Sequence, residues 1–283
     1  MQFILNKIMV PIDFSGPSDW GFNYAYNLAQ QFGADLYVVH IYKPPYLESS
    51  MPPNLVSQII GEKEADLMKH LKSSAQAPLV SKNKKSDPVK IHYILESGAN
   101  SDLVDVSKKN DIDLIVMGTH GANRAIDKVW GTNTAKVIKE ANCPVLAIPI
   151  GSEFDNVENI AYATDYDSND IDNIMQLVLF ATAINANVHC IHVNNILDIT
   201  DEEKEKAFKE KFEARFKDMP VTFSVKSSTS TEEGLETFLR VNHINILSML
   251  THKRNLWERL FGEKSITKEM AFRSKTPILA FHS

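Results

Sequence analysis

The chain is written twice. Lys7-Ile-Met-Val-Pro-Ile-Asp13 returns as Asn159-Ile-Ala-Tyr-Ala-Thr-Asp165, and Ala34-Asp-Leu-Tyr-Val-Val-His40 returns as Ala186-Asn-Val-His-Cys-Ile-His192, both 152 positions later. The segment from Ile112 to His120 returns between Ile244 and His252, and Pro144-Val-Leu-Ala returns as Pro277-Ile-Leu-Ala, at offsets of 132 and 133 because the second copy has a shorter middle. Four segments in one order point to duplication of a single unit. At 283 residues each copy is long enough to bury its own core. Two domains are expected, 1–150 and 151–283, tied closely by the short polar stretch from Gly151 to Asn156.

Within each copy, short runs rich in Ile, Val and Leu alternate with patterns of helical period. In the first, residues 4–12, 35–42, 89–95, 112–117 and 144–149 read as strands covered on both faces. Residues 17–32, 53–74, 99–109 and 132–142 read as helices, with Tyr24, Leu28 and Phe32 marking one apolar stripe. The second copy repeats the strands near 157–163, 187–193, 221–226, 244–250 and 277–281. Strand and helix in alternation predict an α/β fold of two tandem Rossmann-like units, each a mainly parallel five-stranded sheet flanked by helices. The strands 144–149 and 277–281 would end their sheets as apolar edges, so they are expected to pair antiparallel within the chain, burying Phe281.

Gly118, Gly121, Gly131 and Thr132 form the frame G-x2-G-x9-G-T around the end of one such strand. Glycines there let backbone N–H groups approach an anion with no Cβ in the way, and the following helix start, extended by Asn133 and Thr134, supplies further donors. Asp13 ends the first strand ahead of Ser15-Gly-Pro-Ser18, a helix start, where a carboxylate can cap the helix or accept from ribose hydroxyls. In a sheet of this kind ligands bind at the carboxyl ends of the strands, and both features fall there. The second copy keeps Asp165 but places Leu250, Lys253 and Lys264 opposite the three glycines and Ser265 opposite Thr132, so its site is expected to be empty or much weaker.

A net charge of −6 argues against a dedicated nucleic-acid or anionic-membrane surface, and the run from Lys82 to Lys85 reads as a solvated loop. Two cysteines, Cys143 and Cys190, each in an apolar strand, suit neither a disulfide framework nor a metal site and fit a reducing cytoplasm. The opening residues are too soon interrupted by polar groups for a signal peptide, and no apolar run reaches membrane-spanning length. The histidines lack metal-ligand spacing; His40 and His192, at matching strand ends, suggest a shared packing role.

These residues resemble the universal stress protein family in its ATP-binding branch, over nearly the whole chain as two tandem copies. The resemblance implies that Gly118, Gly121, Gly131 and Thr132 bind phosphates and ribose, that Asp13 with Pro11 and Ile12 serves the ribose and adenine, and that Val39 lies against the base. It places Met117, Asn133 and Thr134 along the same site and implies dimers built through the last strand, a pairing that a tandem chain can make within itself. The expected ligand is ATP, ADP or AMP, with or without Mg2+.

Three functions follow: a regulatory protein whose conformation or protein partner depends on a bound nucleotide, a slow ATPase or nucleotide-dependent transferase, and a nucleotide-free structural adaptor. No G-x4-G-K-(S/T) loop is present to supply a phosphate-reaching lysine, and His120 is the only ring near the glycine frame that could act as a base, matched by His252 in the degenerate copy. This favours the first function over the second, and the intact first frame disfavours the third.

Overall fold

A computed structural model describes residues 4–47, 49–75, 88–98, 102–119, 132–155, 157–195, 202–251 and 276–282. The first part of the chain runs β1 (Lys7–Pro11), α1 (Gly16–Phe32), β2 (Asp35–Tyr42), α2 (Pro53–Ser74), β3 (Ile91–Ser97), α3 (Asp102–Lys109), β4 (Leu114–Thr119), α4 (Thr132–Glu140) and β5 (Val145–Pro149). It continues with β6 (Asn159–Ala163), α5 (Asp170–Ala183), β7 (Asn187–Asn195), α6 (Glu202–Phe216), β8 (Val221–Ser228), α7 (Thr231–Val241), β9 (Ile246–Leu250) and β10 (Ile278–Phe281).

The strands form one ten-stranded sheet in the order β3-β2-β1-β4-β5-β10-β9-β6-β7-β8. Every pairing is parallel except one. Read outward from the middle, each half has the same order, so the α/β architecture expected from the strand and helix alternation is present in both, fused edge to edge. The fusion is the antiparallel pairing of β5 with β10, in the register Ile278↔Ala147, Leu279↔Leu146 and Ala280↔Val145. It is the intramolecular seam expected from the two Pro-x-Leu-Ala segments, and it gives each apolar edge a partner.

The seam is bound on both sides. Ser248 Oγ donates to the Leu279 carbonyl at 3.1 Å and Thr251 Oγ1 to the Phe281 carbonyl at 2.8 Å. His282 Nε2 donates across the seam to the carbonyl of Ile138 in α4 at 2.5 Å. On one face of the sheet a single apolar cluster runs through both halves, from Ile8, Leu28 and Leu146 to Tyr162, Phe180 and Phe281. Phe32 of α1 stacks on Phe180 of α5 at 5.4 Å, and Phe154, in the connection between the halves, meets Tyr24 edge-on at 5.2 Å. That connection reads as merely polar in the sequence; Phe154 makes it an anchor. The opposite face holds two separate clusters, one in the first half that takes in Ala280 of β10 and one confined to the second half.

Two strands depart from expectation. β3 and β8 are half-buried to exposed along their lengths, where the apolar runs predict cover on both faces, because they are the two outer strands of the sheet. Among the described residues, no helix is long and apolar enough to cross a membrane.

Phe281 is 5% exposed against this continuous core. Phe281→Asp should cost at least about 3–5 kcal/mol, since it removes a large apolar side chain and buries an unpaired carboxylate. Limited proteolysis should then cut near residues 150–156 faster than in the unaltered chain, and the unfolding midpoint should fall.

Candidate functional site

The strand order reverses between β1 and β4. From β1 the chain passes through α1, on the face of the continuous cluster, to β2; from β4 it passes through α4, on the other face, to β5. Adjacent parallel strands whose connections leave to opposite faces open a crevice at their carboxyl ends. Asp13 stands at the end of one strand and Gly118 and Thr119 at the end of the other.

The first wall is a tight turn. Asp13 is exposed, and its Oδ1 accepts from Ser15 N at 3.0 Å and from Ser15 Oγ at 2.5 Å. Ser15 is the N-cap of α1, accepting from Ser18 N through Oγ, and Ser18 Oγ returns a bond to the Ser15 carbonyl at 2.8 Å. The helix cap is therefore Ser15, and Asp13 orients the cap from two residues upstream. Burial alone would raise the Asp13 pKa, but hydrogen bonds from the Ser15 hydroxyl and amide and from Ser18 outweigh it and hold the carboxyl below its usual 3.8. Asp13 therefore presents a negative charge at neutral pH.

Between Asp13 and the cap, Phe14 takes a left-handed conformation, φ 62°, and its ring packs 4.5 Å from that of His40. His40 Nδ1 lies 2.6 Å from the Ile12 carbonyl; the carbonyl can only accept, so Nδ1 carries the proton. The Ile12 amide in turn donates to the Val39 carbonyl at 2.8 Å. Ile12 thus fixes the turn through its backbone, while its side chain belongs to the continuous cluster. Val39 and Met117 are buried together in the cluster on the other face, with Met9. Pro11, half-buried, ends β1 in register with Val39.

The second wall is β4 and the start of α4. Gly118 lies within the strand, paired with Ile148. A Cβ on Gly118 would sit 1.8 Å from the Pro17 carbonyl oxygen and 2.4 Å from its carbon. The missing side chain makes room for the first turn of α1, a role the sequence reading did not give it. Thr132 opens α4, whose unpaired amides and dipole favour an anion, and Thr134 is buried in its first turn. Gly121, Gly131 and His120 lie outside the described residues, as do the side chains of Thr132 and Asn133 and the counterparts His252, Lys253, Lys264 and Ser265.

The second half repeats the turn with different chemistry. Tyr166 is left-handed at φ 63°, its ring stacks on that of His192 at 4.0 Å, and His192 Nδ1 donates to the Thr164 carbonyl at 2.7 Å. The paired histidines are thus structural in both halves, as their matching positions suggest. Where the first half has Ser18, the second has Asp170, 2% exposed, which accepts from Tyr162 Oη at 2.7 Å, Thr164 Oγ1 at 2.5 Å and Asp167 N at 3.1 Å. Leu250, opposite Gly118, is buried in the core. Ser15, Ser18, Phe14 and Asp170 build the two turns without a motif that marks them for this role in the sequence, save that a Ser three positions before another Ser at a helix start is a capping signal.

Comparison with known proteins places the first half. The model of the universal stress protein family matches residues 5–149. A universal stress protein of Methanocaldococcus jannaschii is 30% identical over 149 residues, covering 51% of this chain and 82% of that protein. Universal stress protein A homolog 1 of Coxiella burnetii is 30% identical over 146 residues, 50% of this chain and 94% of its own. Over the whole length, the crystal structure of a universal stress protein from Archaeoglobus fulgidus gives a TM-score of 0.70 at 14% identity, with 98% of each chain covered. A functionally unknown protein from Pseudomonas aeruginosa gives 0.57 at 14% identity, over 98% of this chain and 92% of that one. At these identities the structural likeness is one of fold.

The two turns should also differ in their response to pH. Burial pushes the Asp170 carboxyl up from 3.8 to about 6, against the bonds from Thr164, Tyr162 and the Asp167 amide that favour its charged form. A carboxyl raised on folding contributes stability that is full below about 3.8 and is lost as pH rises through about 6. Relative to Asp170→Asn, the unaltered chain should therefore lose on the order of 1–3 kcal/mol of unfolding free energy between about pH 4.5 and 7.5. Urea titrations at four or five pH values read the difference, and equal slopes for the two proteins would refute the raised pKa.

Proposed function

This chain belongs to the universal stress protein family, and from that premise we propose that its first half binds one adenine nucleotide and that the protein acts as a stress-response regulator whose conformation or protein partner depends on that ligand. The observation that supports this most is the pairing of an ionised Asp13 with the β4–α4 wall across the crevice between β1 and β4.

In this reading Asp13 accepts from the ribose hydroxyls, and Val39 and Met117 supply the apolar floor beside the base. Pro11 and Ile12 hold the turn through their backbones. Gly118, Gly121, Gly131, Thr132, Asn133 and Thr134 line the phosphate side, where the amides that open α4 favour negative charge. ATP, ADP and AMP share the groups these residues would recognise. A Mg2+ ion accompanying the phosphates would be held mainly by them and by water, the usual arrangement for this ion; among the described residues no three His, Cys, Asp or Glu side chains group to hold a metal. Residues 1–150 form the binding domain and 151–283 a domain of the same descent with a degenerate motif, its Leu250 occupying the place of Gly118. Both cysteines are free thiols buried in the core, which suits the cytoplasm.

Calorimetry with ATP should give one site per chain. Asp13→Ala should weaken binding by on the order of 1.5–3 kcal/mol, the value of a hydrogen bond to a charged acceptor, with a smaller loss of folding stability because Ser15 remains as the cap. Two equivalent sites, or no binding by a folded chain, would overturn the proposal. Unchanged affinity with a lowered unfolding midpoint would reduce Asp13 to a support for the cap.

A further inference from the structure

We propose that Gly21 is a positioning residue for the first-half site: its bare contact with Gly118 sets the distance between the two walls of the crevice. The inference rests on the nucleotide-binding reading and goes beyond it to a buried residue of α1 outside the residues proposed to line the site.

Gly21 lies in the second turn of α1 and is buried. Glycine in a helix interior is disfavoured relative to alanine, so its presence there calls for a compensating contact. A Cβ on Gly21 would stand 2.6 Å from the Gly118 amide nitrogen, 3.1 Å from its Cα and 3.4 Å from the Met117 carbonyl carbon. One on Gly118 would strike Pro17 and approach Ser18 N to 3.0 Å. All these neighbours are backbone. No rotamer change relieves the contact, and either added carbon has to move the helix away from the strand.

That movement would be read at the site. The N-terminal turn of α1 carries Ser15, which holds Asp13, while Gly118 is the residue from which the glycine frame departs. The far end of α1 is anchored separately, by the left-handed Gly33 at φ 66° and by the stacking of Phe32 on Phe180. A displacement at Gly21 therefore tilts the capped end outward and widens the crevice between ribose grip and phosphate wall. In the second half the matching positions hold Asn173 and Leu250, both buried. Asn173 Nδ2 reaches the Tyr162 hydroxyl at 3.5 Å, so side chains fill the interval that backbone closes in the first half. The close approach belongs to the half with the intact glycine frame.

The test compares Gly21→Ala with Gly234→Ala in the full chain. Gly234 is a helix glycine of the second half whose added Cβ would meet Val193 Cγ1 at 2.5 Å, so it controls for general destabilisation. Calorimetry with ATP should show at least a tenfold loss of affinity for Gly21→Ala and less than a twofold change for Gly234→Ala, at comparable unfolding midpoints. Amide spectra without nucleotide should show Ser15, Ser18 and Gly118 shifted in Gly21→Ala, and the β5–β10 residues unmoved. Unaltered affinity in Gly21→Ala, or equal losses in both variants, would overturn the positioning role while leaving the nucleotide reading intact. Absence of ATP binding by the unaltered chain would overturn both. Should Gly21→Ala not fold, hydrogen exchange on the unaltered chain decides: ATP should slow the Ser18, Gly21 and Gly118 amides together, and protection confined to the β4 side would refute the coupling.

Discussion

Everything else in the molecule depends on three residue pairs. The antiparallel match of Val145, Leu146 and Ala147 with Ala280, Leu279 and Ile278 converts two five-stranded sheets, each with an apolar edge, into one sheet with neither. An unpaired edge of that composition invites association with any other strand. Closing it internally also brings α1 and α5 onto the same face, so that one core serves both halves there. On the other face two clusters stand apart, one with α3 and α4 that reaches across the seam to Ala280 and one with α7.

Within that frame the two halves share a turn and differ in what it encloses. Both place a left-handed aromatic residue after the first strand and brace it with a histidine that donates to the backbone. The first half then brings helix to strand through glycine and leaves its carboxylate exposed. The second half buries its carboxylate among Tyr162, Thr164 and the Asp167 amide. The two halves share the brace and differ in the chemistry beside it.

Much of this was legible in the residues. The apolar runs located the strands to within a few positions, and the repeated Pro-x-Leu-Ala segments were enough to expect the seam, because an apolar strand closing a sheet needs a partner. The character of β3 was not legible, since its Ile, Tyr and Leu pattern is the same whether a strand is central or outermost. Nor was the reason for Gly118: a sequence records that a Cβ is missing but not which neighbour occupies its place, and here the neighbour is Pro17. Asp170 reads as an acidic residue suited to a helix N-terminus, and only the fold reveals that it is inside. The Asp13 turn lies between these cases: the residues leave Asp13 open as helix cap or ribose acceptor, and the fold gives the cap to Ser15.

The seam also imposes an order of events during synthesis. β5 is complete when Pro149 has been made, but its partner β10 starts at Ile278, and at bacterial or eukaryotic elongation rates the interval is on the order of ten seconds. For that period the emerging first half carries an uncovered strand edge, and His282 has yet to reach the end of α4. The emerging first half is therefore a nearly complete α/β sheet with one uncovered apolar border, the place where slowed translation would first lead to misassembly.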